Sequence, residues 1–515
     1  MAVTSTVPQP KPRQMYSVKK LIRGSSSRVL RMFILASIGF FLMPFMVHRL
    51  GSQQYGIWAT AVAFLGYYSF LDLGLSGAIF THMSYALGRE DREEARNIYY
   101  VSALIFSGVG IVLILATFIL AFAMIKLHYT HGRAMATIIL ILGISTATSF
   151  GMRVPFGTLN AAQHFDITAW VLVMTGIIRA TGTVYLLTHH HGIVALAWLA
   201  VFGGVPANAI VLWSVNHYFP YLKIFRFPRW NQQTFRKLYR FAGPVMLGQV
   251  ADRIRFQTDT LTVSFFVGLM AVTHYTVGST LVMYYLDAVA AIVGVFMPVL
   301  SMQKSVDDDA AFERSFLAGS RVALCASAFI CFGLIVWSKD FITRWMGARF
   351  TDAYPVVVIL AIAVFLETSQ STSVNALYAS LHQKAYAVLN ISEAVCNLIL
   401  SILFVRPFGM MGVALGTLIP SIVFRGILQP IVVERLLHIS KRKTLGLYAK
   451  TGSRCALLLI VPYVISHYWL APDIRHLVLI PAISAVLYIV PVWLLEFGGK
   501  GWDRILARLR GVRAT

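Results

Sequence analysis

Four ionisable side chains cluster in one apolar stretch of this sequence, and they are the residues best placed to do chemistry. Asp252, Arg253, Arg255 and Asp259 fall near the centre of residues 241–266, a stretch long enough to cross a ~30 Å hydrocarbon core. Each charge costs about 2.5–3.5 kcal/mol at that depth on an insertion scale, so these side chains should face protein or water rather than lipid. At about 100° per residue, Asp252, Arg255 and Asp259 share one helix stripe.

Phosphate binding is the chemistry that a buried arginine suits best, because a guanidinium group matches a phosphate through two parallel hydrogen bonds. The four clustered residues are formally neutral together, so a cationic cavity needs further arginines. The candidates are Arg153, Arg179, Arg321 and Arg425 within or at the edges of apolar stretches, and Arg31 at the cytoplasmic mouth of the first one. We predict that Arg153, Arg253 and Arg255 face a solvated cavity. In the alternative interpretation, the charges pair with one another or with charges on other spans and only hold the helices in register.

The acidic residues inside the apolar stretches suggest a second kind of site. Asp259 and Glu367 lie among Ser, Thr and Gln residues and are candidates for a coupling ion or proton, and Asp252 is a candidate partner in an ion pair. Asp72 and Asp287 occupy matching places in the sequence, and we expect both to be held at helix ends. A cavity lined mainly by Asp72, Asp259, Asp287 and Glu367 would instead indicate an exporter of cations.

Composition predicts the elements that must position these residues. The chain has 515 residues, of which 57% are hydrophobic and 13% charged, and its mean hydropathy is +0.70. These values predict an all-α integral membrane protein with about fourteen transmembrane helices. The net charge of +23 is concentrated in loops on one side of the predicted topology, which places both termini in the cytoplasm. We attribute this excess charge to topology and expect no nucleic-acid partner.

An internal duplication organises the spans. Gly51 and Gly268 each begin a loop, and His164 and His382 recur at nearly the same spacing. The duplication predicts two pseudo-symmetric six-helix lobes, related by an axis along the membrane normal, with a transport pathway between them. The predicted organisation is a basic cytoplasmic segment 1–27, an N-lobe 28–216, a basic linker 217–240, a C-lobe 241–433, two further helices within 434–495, and an amphipathic cytoplasmic tail 496–515.

The opening of the sequence carries a family resemblance. Residues 50–58 (LGSQQYGIW) and 71–75 (LDLGL) resemble the start of polysaccharide exporters in the multidrug/oligosaccharidyl-lipid/polysaccharide superfamily, the O-antigen flippase-like proteins, over about residues 28–435. The resemblance implies a V-shaped pair of lobes, alternating access, and export of an undecaprenyl-pyrophosphate-linked oligosaccharide for surface polysaccharide or exopolysaccharide. It also implies the bacterial inner membrane, with a polysaccharide polymerase or glycosyltransferases as candidate partners.

Two other function classes stay open at this point. A drug/cation antiporter of the same superfamily is one alternative, although cationic substrates favour unpaired carboxylates over arginines. A membrane-embedded polysaccharide polymerase or ligase is the other, but the outer loops are short and no nucleophile–base or metal-ligand spacing is apparent. The four cysteines lie in apolar stretches, and no G-x-x-x-x-G-K-[ST] loop occurs. We therefore predict a transporter rather than an enzyme, with no metal and no cofactor.

Overall fold

A computed structural model describes residues 18–72, 74–126, 131–222, 231–468 and 474–498. For residues 18–30, 240–256, 441, 474–478 and 497 it describes the backbone only. No strand occurs in this part of the chain, so the predicted all-α fold class is confirmed. Parts of the predicted terminal segments 1–27 and 496–515 and of the linker 217–240 lie outside the described residues.

The first half of the chain forms a series of helices. They are α1 (Val18–Gly66), a 3₁₀ helix (Tyr67–Asp72), α2 (Leu75–Gly88), α3 (Arg92–Lys126), α4 (Gly132–Ser149), α5 (Arg153–Ala161), α6 (Phe165–Thr188), α7 (Ile193–Phe202) and α8 (Val205–Tyr218).

The second half continues in the same manner. It contains α9 (Gln232–Phe266), α10 (Leu269–Val293), α11 (Phe296–Ser305), α12 (Asp309–Trp345), a 3₁₀ helix (Ala348–Ala353), α13 (Tyr354–Ser369), α14 (Ser371–Ala379), α15 (Gln383–Ser421), a π-helix (Ile422–Leu428), α16 (Gln429–Leu437), α17 (Lys441–Tyr468) and α18 (Ile474–Phe497).

Ten helical segments of the described chain are long and apolar enough to cross a membrane. The segment Gln383–Leu437 has 55 residues, which at 1.5 Å per residue would extend about 80 Å, far more than one span needs. Its backbone leaves helical geometry at Gly409, and the backbone of Arg31–Asp72 does so at Gly51. The protein is therefore a multi-pass membrane protein, and the count of fourteen spans stays a prediction.

The turns of the two halves recur at the spacing of the sequence duplication. At five pairs of positions, about 217 residues apart, the backbone of both members has a positive φ. The pairs are Gly51 and Gly268, Glu90 and Asp307, His131 and Gly347, Gln163 and Leu381, and His190 and Gly409. Gly51 (φ 78°, ψ 160°) and Gly268 (φ 118°, ψ 169°) adopt a conformation that glycine reaches readily because it has no Cβ. The same order of helices and turns thus occurs twice, and the rotation axis relating the copies stays a prediction.

The described chain divides into two compact units, and the first comprises residues up to Met43 and Leu71–Gly243. Within it α3 packs on α4, α2 on α5 and α6 on α8. Close approach of α3 and α4 depends on small residues, since a Cβ at Gly110 would lie 2.9 Å from the carbonyl oxygen of Ala147. The buried rings of Phe106 and Phe150, 6.1 Å apart, fill the space beside this contact.

The second unit comprises Pro44–Phe70 together with the chain from Pro244 onward. The sequence assigns Pro44–Phe70 to the N-lobe, so the compact units and the predicted lobes divide the chain differently. Here α12 packs on α13 and on α17, and α17 packs on α18. Cys325, Cys455 and Tyr488 form a buried cluster that joins α12 to the last two helices.

Candidate functional site

The three ionisable residues at the centre of the predicted site belong to α9. Asp252, Arg253 and Arg255 are helical, but their side chains lie outside the described residues. Our prediction that Arg253 and Arg255 face a solvated cavity therefore stays a prediction. The side chains of the other predicted site residues are described, and they define the candidate sites.

Among the predicted arginines, Arg153 combines a fixed position with a side chain that could still contact a ligand. It begins α5 after the chain turns at Gly151 and Met152. Its Nη1 lies 2.9 Å from Oδ1 of Asp72, and the guanidinium group lies 4.0 Å from the centre of the Phe150 ring. The Arg153 side chain is still 30% exposed. A planar guanidinium with one carboxylate partner can donate hydrogen bonds to a further oxyanion from its open edge.

Asp72 and Asp287 behave differently, although the duplication places them at matching positions. Asp72 ends the first 3₁₀ helix, is buried, and accepts a hydrogen bond of 2.7 Å from the Ser76 hydroxyl besides pairing with Arg153. This matches the expectation of a residue held at a helix end. For Asp287 the expectation was wrong: it lies inside α10 and is exposed. In the described part of the chain, no hydrogen bond or ion pair reaches its carboxylate, because the matching arginine is absent from the second half.

Arg425 lies in the π-helix and is 1% exposed. Its Nε lies 2.6 Å from Oε2 of Glu393, and its terminal nitrogens donate to Asn390 (2.6 Å) and Gln429 (3.0 Å). The guanidinium also lies 5.3 Å from the centre of the Tyr386 ring. These groups occupy the hydrogen-bonding nitrogens, so the guanidinium has little exposed surface left for a substrate in this conformation, although Arg425 borders a cavity of about 480 Å³.

Arg321 is likewise held by protein groups. Its Nε lies 3.1 Å from Oε2 of Glu496, and Arg454 pairs with the other oxygen of the same carboxylate at 2.8 Å. These contacts join α12, α17 and α18 within the second unit. Both guanidinium groups remain about one third exposed, whereas the Glu496 side chain is 4% exposed.

The last two predicted arginines make few contacts. Arg179 donates a hydrogen bond of 2.9 Å from α6 to the backbone carbonyl of Ala200 in α7. Arg31 is half-buried on α1. Neither lies in a cluster of phosphate-binding groups within the described residues of the first unit.

Asp259 forms the polar centre of the second unit. The Tyr275 and Thr417 hydroxyls each donate to its Oδ2 at 2.9 Å, and the Asn397 amide donates to the Thr417 hydroxyl at 2.8 Å. The side chain of Asp259 is buried beside a cavity of about 260 Å³, which Trp58 also lines. No arginine belongs to the lining that the structure describes. A buried carboxylate amid hydroxyl and amide oxygens offers the donor set of a small cation, or a place for a proton.

Glu367 belongs to α13, one turn beyond Val364, which lines the same cavity. It is half-buried. The structure therefore places Asp259 in the lining of this cavity and Glu367 on the same helix as Val364, another lining residue.

Sequence reasoning missed the partners of these charges. Asn390, Asn397, Thr417 and Gln429 were not singled out, yet they determine which charged groups are enclosed. A signal was present, because Thr417, Ser421, Arg425 and Gln429 follow one another at intervals of four and so share a helix face.

Known proteins share both the sequence pattern and the fold. The chain is 22% identical over 410 residues to the uncharacterized membrane protein EpsK of Bacillus subtilis, covering 77% of this chain and 79% of that protein. It is 20% identical to the probable flippase AglR of Haloferax volcanii, covering 78% and 81%.

Solved structures give the same fold. The lipid II flippase MurJ in an inward closed conformation superposes with a TM-score of 0.72 at 16% identity, over 94% of this chain and 99% of that one. An inward-facing multidrug resistance MATE family transporter superposes with a TM-score of 0.69 at 14% identity, over 80% and 99%. The family model described as polysaccharide biosynthesis protein matches residues 21–304, more than half of the chain. The chain belongs to this polysaccharide biosynthesis protein family.

Proposed function

We propose that this protein is a flippase that moves an undecaprenyl-pyrophosphate-linked oligosaccharide from the cytoplasmic to the outer leaflet of a bacterial inner membrane by alternating access. Both termini lie in the cytoplasm in this proposal. Family membership supports a role in polysaccharide biosynthesis, and the probable flippases among its relatives support translocation of a glycan carrier.

The partly exposed side chain of Arg153 is the observation that carries the proposal. A pyrophosphate must leave water to cross a ~30 Å hydrocarbon core, which is prohibitive unless protein groups compensate its charge. Arg153 is fixed by Asp72 on one side and by the Phe150 ring on another, and it keeps an exposed edge. In the proposal several arginines share the attraction for the pyrophosphate, so that no single contact is too strong to release it.

Asp259 supplies the coupling step in this proposal, with Glu367 and Asp252 as further candidate carboxylates. Its hydroxyl and amide surroundings suit a monovalent cation or a proton, and a change in the charge of Asp259 would alter the contacts it makes with Tyr275 and Thr417. That coupling would link α9, α10 and α15 of the second unit to ion binding.

The test is complementation of a host depleted of this protein. Arg153→Ala should raise the amount of polyprenyl-linked glycan held on the inner leaflet to the level of depletion, since one charge-assisted contact of about 1.5–3 kcal/mol corresponds to roughly 10–150-fold in binding. Arg153→Lys should restore part of the transport, because an ammonium keeps the charge but not the planar geometry.

Arg454→Ala is the matched control, since Arg454 is an arginine in a helix outside the duplicated halves and already has a carboxylate partner. It should leave export near the wild-type level, with protein amounts checked by immunoblot. If Arg153→Ala exports normally, or if depletion traps no lipid-linked glycan, the flippase proposal fails.

A cation antiporter is the second candidate function. It is favoured by the exposed Asp287 and by the cavity beside Asp259, whose described lining carries an acid and no arginine. An antiporter would protect cells against ethidium, and Asp287→Asn would remove that protection. A flippase would show neither effect.

A further inference from the structure

A cavity lies at one end of the first unit, where three turns of the chain meet. They are the α2–α3 turn with Glu90, the α5–α6 turn with His164, and the chain after α8 with Tyr221. The cavity has a volume of about 410 Å³, which is within the range of sites for small molecules. The predicted topology places all three turns on the cytoplasmic side, where a lipid-linked glycan waits before it is moved.

The lining combines aromatic rings with charges of both signs. The His164 ring stacks on Tyr218 with centroids 4.3 Å apart, and the Arg92 guanidinium lies 5.5 Å from the centre of the Tyr221 ring. Burial raises the pKa of the Tyr221 phenol, so the phenol stays protonated and can donate. Glu90 and Arg92 are exposed at the cavity, and Glu90 is held at φ 57°.

The same corner of the second half is filled. Phe312, Leu377, Tyr386 and Ile439 belong to one buried apolar cluster there. The turn that leads into this corner matches closely: Asp91 accepts from the backbone N–H of Glu94 at 2.8 Å, and Asp308 accepts from that of Ala311 at 2.9 Å. The fold therefore does not require a cavity at this corner.

Residue size differs between the halves at three matched positions. The duplication aligns Phe312 with Ala95 and Tyr386 with Thr168, and both smaller residues are buried. It also aligns Ile439 with Tyr221. The first half is thus smaller at two of these positions and larger at the third, and of its three residues Tyr221 belongs to the lining of the cavity.

We infer that this cavity is a cytoplasmic sugar-binding site, which holds a sugar ring of the lipid-linked glycan before translocation. The inference deepens the proposed function and rests on it. A phosphate would meet the carboxylates of Glu90 and Asp91 and be repelled, and a purely apolar ligand would leave those charges without partners. A neutral sugar has hydroxyls that can donate to carboxylates and accept from arginine, and it has apolar C–H faces that can cover aromatic rings.

The test uses the full chain in nanodiscs of phosphatidylcholine and phosphatidylglycerol, which contain no sugar. The probes are methyl α-glucopyranoside, methyl α-galactopyranoside, methyl α-mannopyranoside and the methyl glycoside of N-acetylglucosamine, followed by saturation-transfer NMR. At least one probe should bind, and Glu90→Gln should weaken its binding about ten-fold, as the loss of a charge-assisted hydrogen bond implies.

Two further variants make the test specific. Ala162→Phe places a large side chain in the lining of the cavity and should abolish binding. Asp307→Asn changes the acid that matches Glu90 in the filled corner, and it should leave binding unchanged. The inference is overturned if no probe binds, if binding survives both Glu90→Gln and Ala162→Phe, or if Asp307→Asn weakens it equally.

Failure of this site can be told apart from failure of the flippase proposal. Sugar binding is measured without translocation and does not involve Arg153. If depletion of the protein makes lipid-linked glycan accumulate on the inner leaflet and Glu90→Gln loses sugar binding, both the flippase proposal and the sugar-binding site are supported. If depletion makes the glycan accumulate but no sugar probe binds, the sugar-binding site is rejected and the flippase proposal is kept.

Discussion

Two arginine–carboxylate pairs in the described part of the duplicated halves differ in how far the arginine is enclosed. Arg153 lies 2.9 Å from Asp72, and its side chain is 30% exposed. Arg425 lies 2.6 Å from Glu393, and its side chain is 2% exposed. The two pairs have the same chemistry, but only Arg153 has room for a further anion.

Neighbouring polar residues produce this difference. Around Arg425, the part of α15 before Gly409 and the chain after it face each other through hydrogen bonds, including Asn397 to Thr417 (2.8 Å) and Ser421 to Glu393 (3.0 Å). These bonds stabilise a charge without solvent. Around Arg153 the contacts are one carboxylate and one aromatic ring, so the enclosure is incomplete. The partners of a charged residue inside a membrane protein thus decide whether it only stabilises the fold or can also bind a ligand.

The largest effect should come from breaking the enclosed pair. Glu393→Gln leaves the Arg425 charge buried without its carboxylate, and we expect the free energy of unfolding to fall by about 3–5 kcal/mol. The measurement is unfolding in mixed detergent–SDS micelles, followed by tryptophan fluorescence. Adding Arg425→Met should recover most of the loss, because an apolar pair removes the uncompensated charge. If Glu393→Gln lowers the free energy of unfolding by less than about 1 kcal/mol, the conclusion that the Arg425 pair is the more enclosed one would be contradicted.

An intermediate effect is expected at Glu496, where a buried acid faces two partly exposed arginines. Glu496→Gln should lower the free energy of unfolding by about 1–3 kcal/mol, since it removes two charge-assisted contacts but leaves Arg321 and Arg454 able to reach water. The control is Arg454→Gln, which leaves the carboxylate paired with Arg321 and should cost less. Equal losses in both variants would show that burial of the acid contributes little.

The sequence predicted the class of fold well and the site only in part. Runs of apolar residues require helices in a membrane, and glycines such as Gly51 and Gly268 indicate where the helices must turn. Burial could not be predicted in the same way, because Arg425 and Arg153 are both arginines in apolar surroundings. Their exposure depends largely on which side chains of other helices come near, and the polar stripe around Arg425 indicates only the partners that lie on its own helix.

The matched acids show the same limit. Asp72 and Asp287 follow the same motif in the two halves, yet Asp72 is buried beside Arg153 and Asp287 is exposed. The duplication predicts equivalent backbone positions, and five pairs of turns match in this way, but here the backbone differs, because Asp72 ends a 3₁₀ helix and Asp287 lies inside α10. The duplication does not predict equivalent partners, since the two halves have diverged in the side chains that surround those positions.

The smallest effect on stability should come from the open pair, and it separates two roles of Arg153. Asp72→Asn keeps the hydrogen bond from Ser76 and leaves Arg153 in contact with water, so the free energy of unfolding should fall by about 1 kcal/mol or less. The control is Glu313→Gln, which breaks the partly exposed pair with Lys443 and should cost a similar amount.

Transport distinguishes the two roles of Arg153 more sharply than stability does. If Arg153 binds pyrophosphate, Asp72→Asn removes a carboxylate that competes for the same guanidinium, and export should persist while Arg153→Ala abolishes it. If Arg153 serves only to hold Asp72 in place, the two variants break one and the same contact and should impair export equally. Measuring inner-leaflet glycan in both variants at matched protein amounts therefore determines whether the exposed edge of Arg153 has a function.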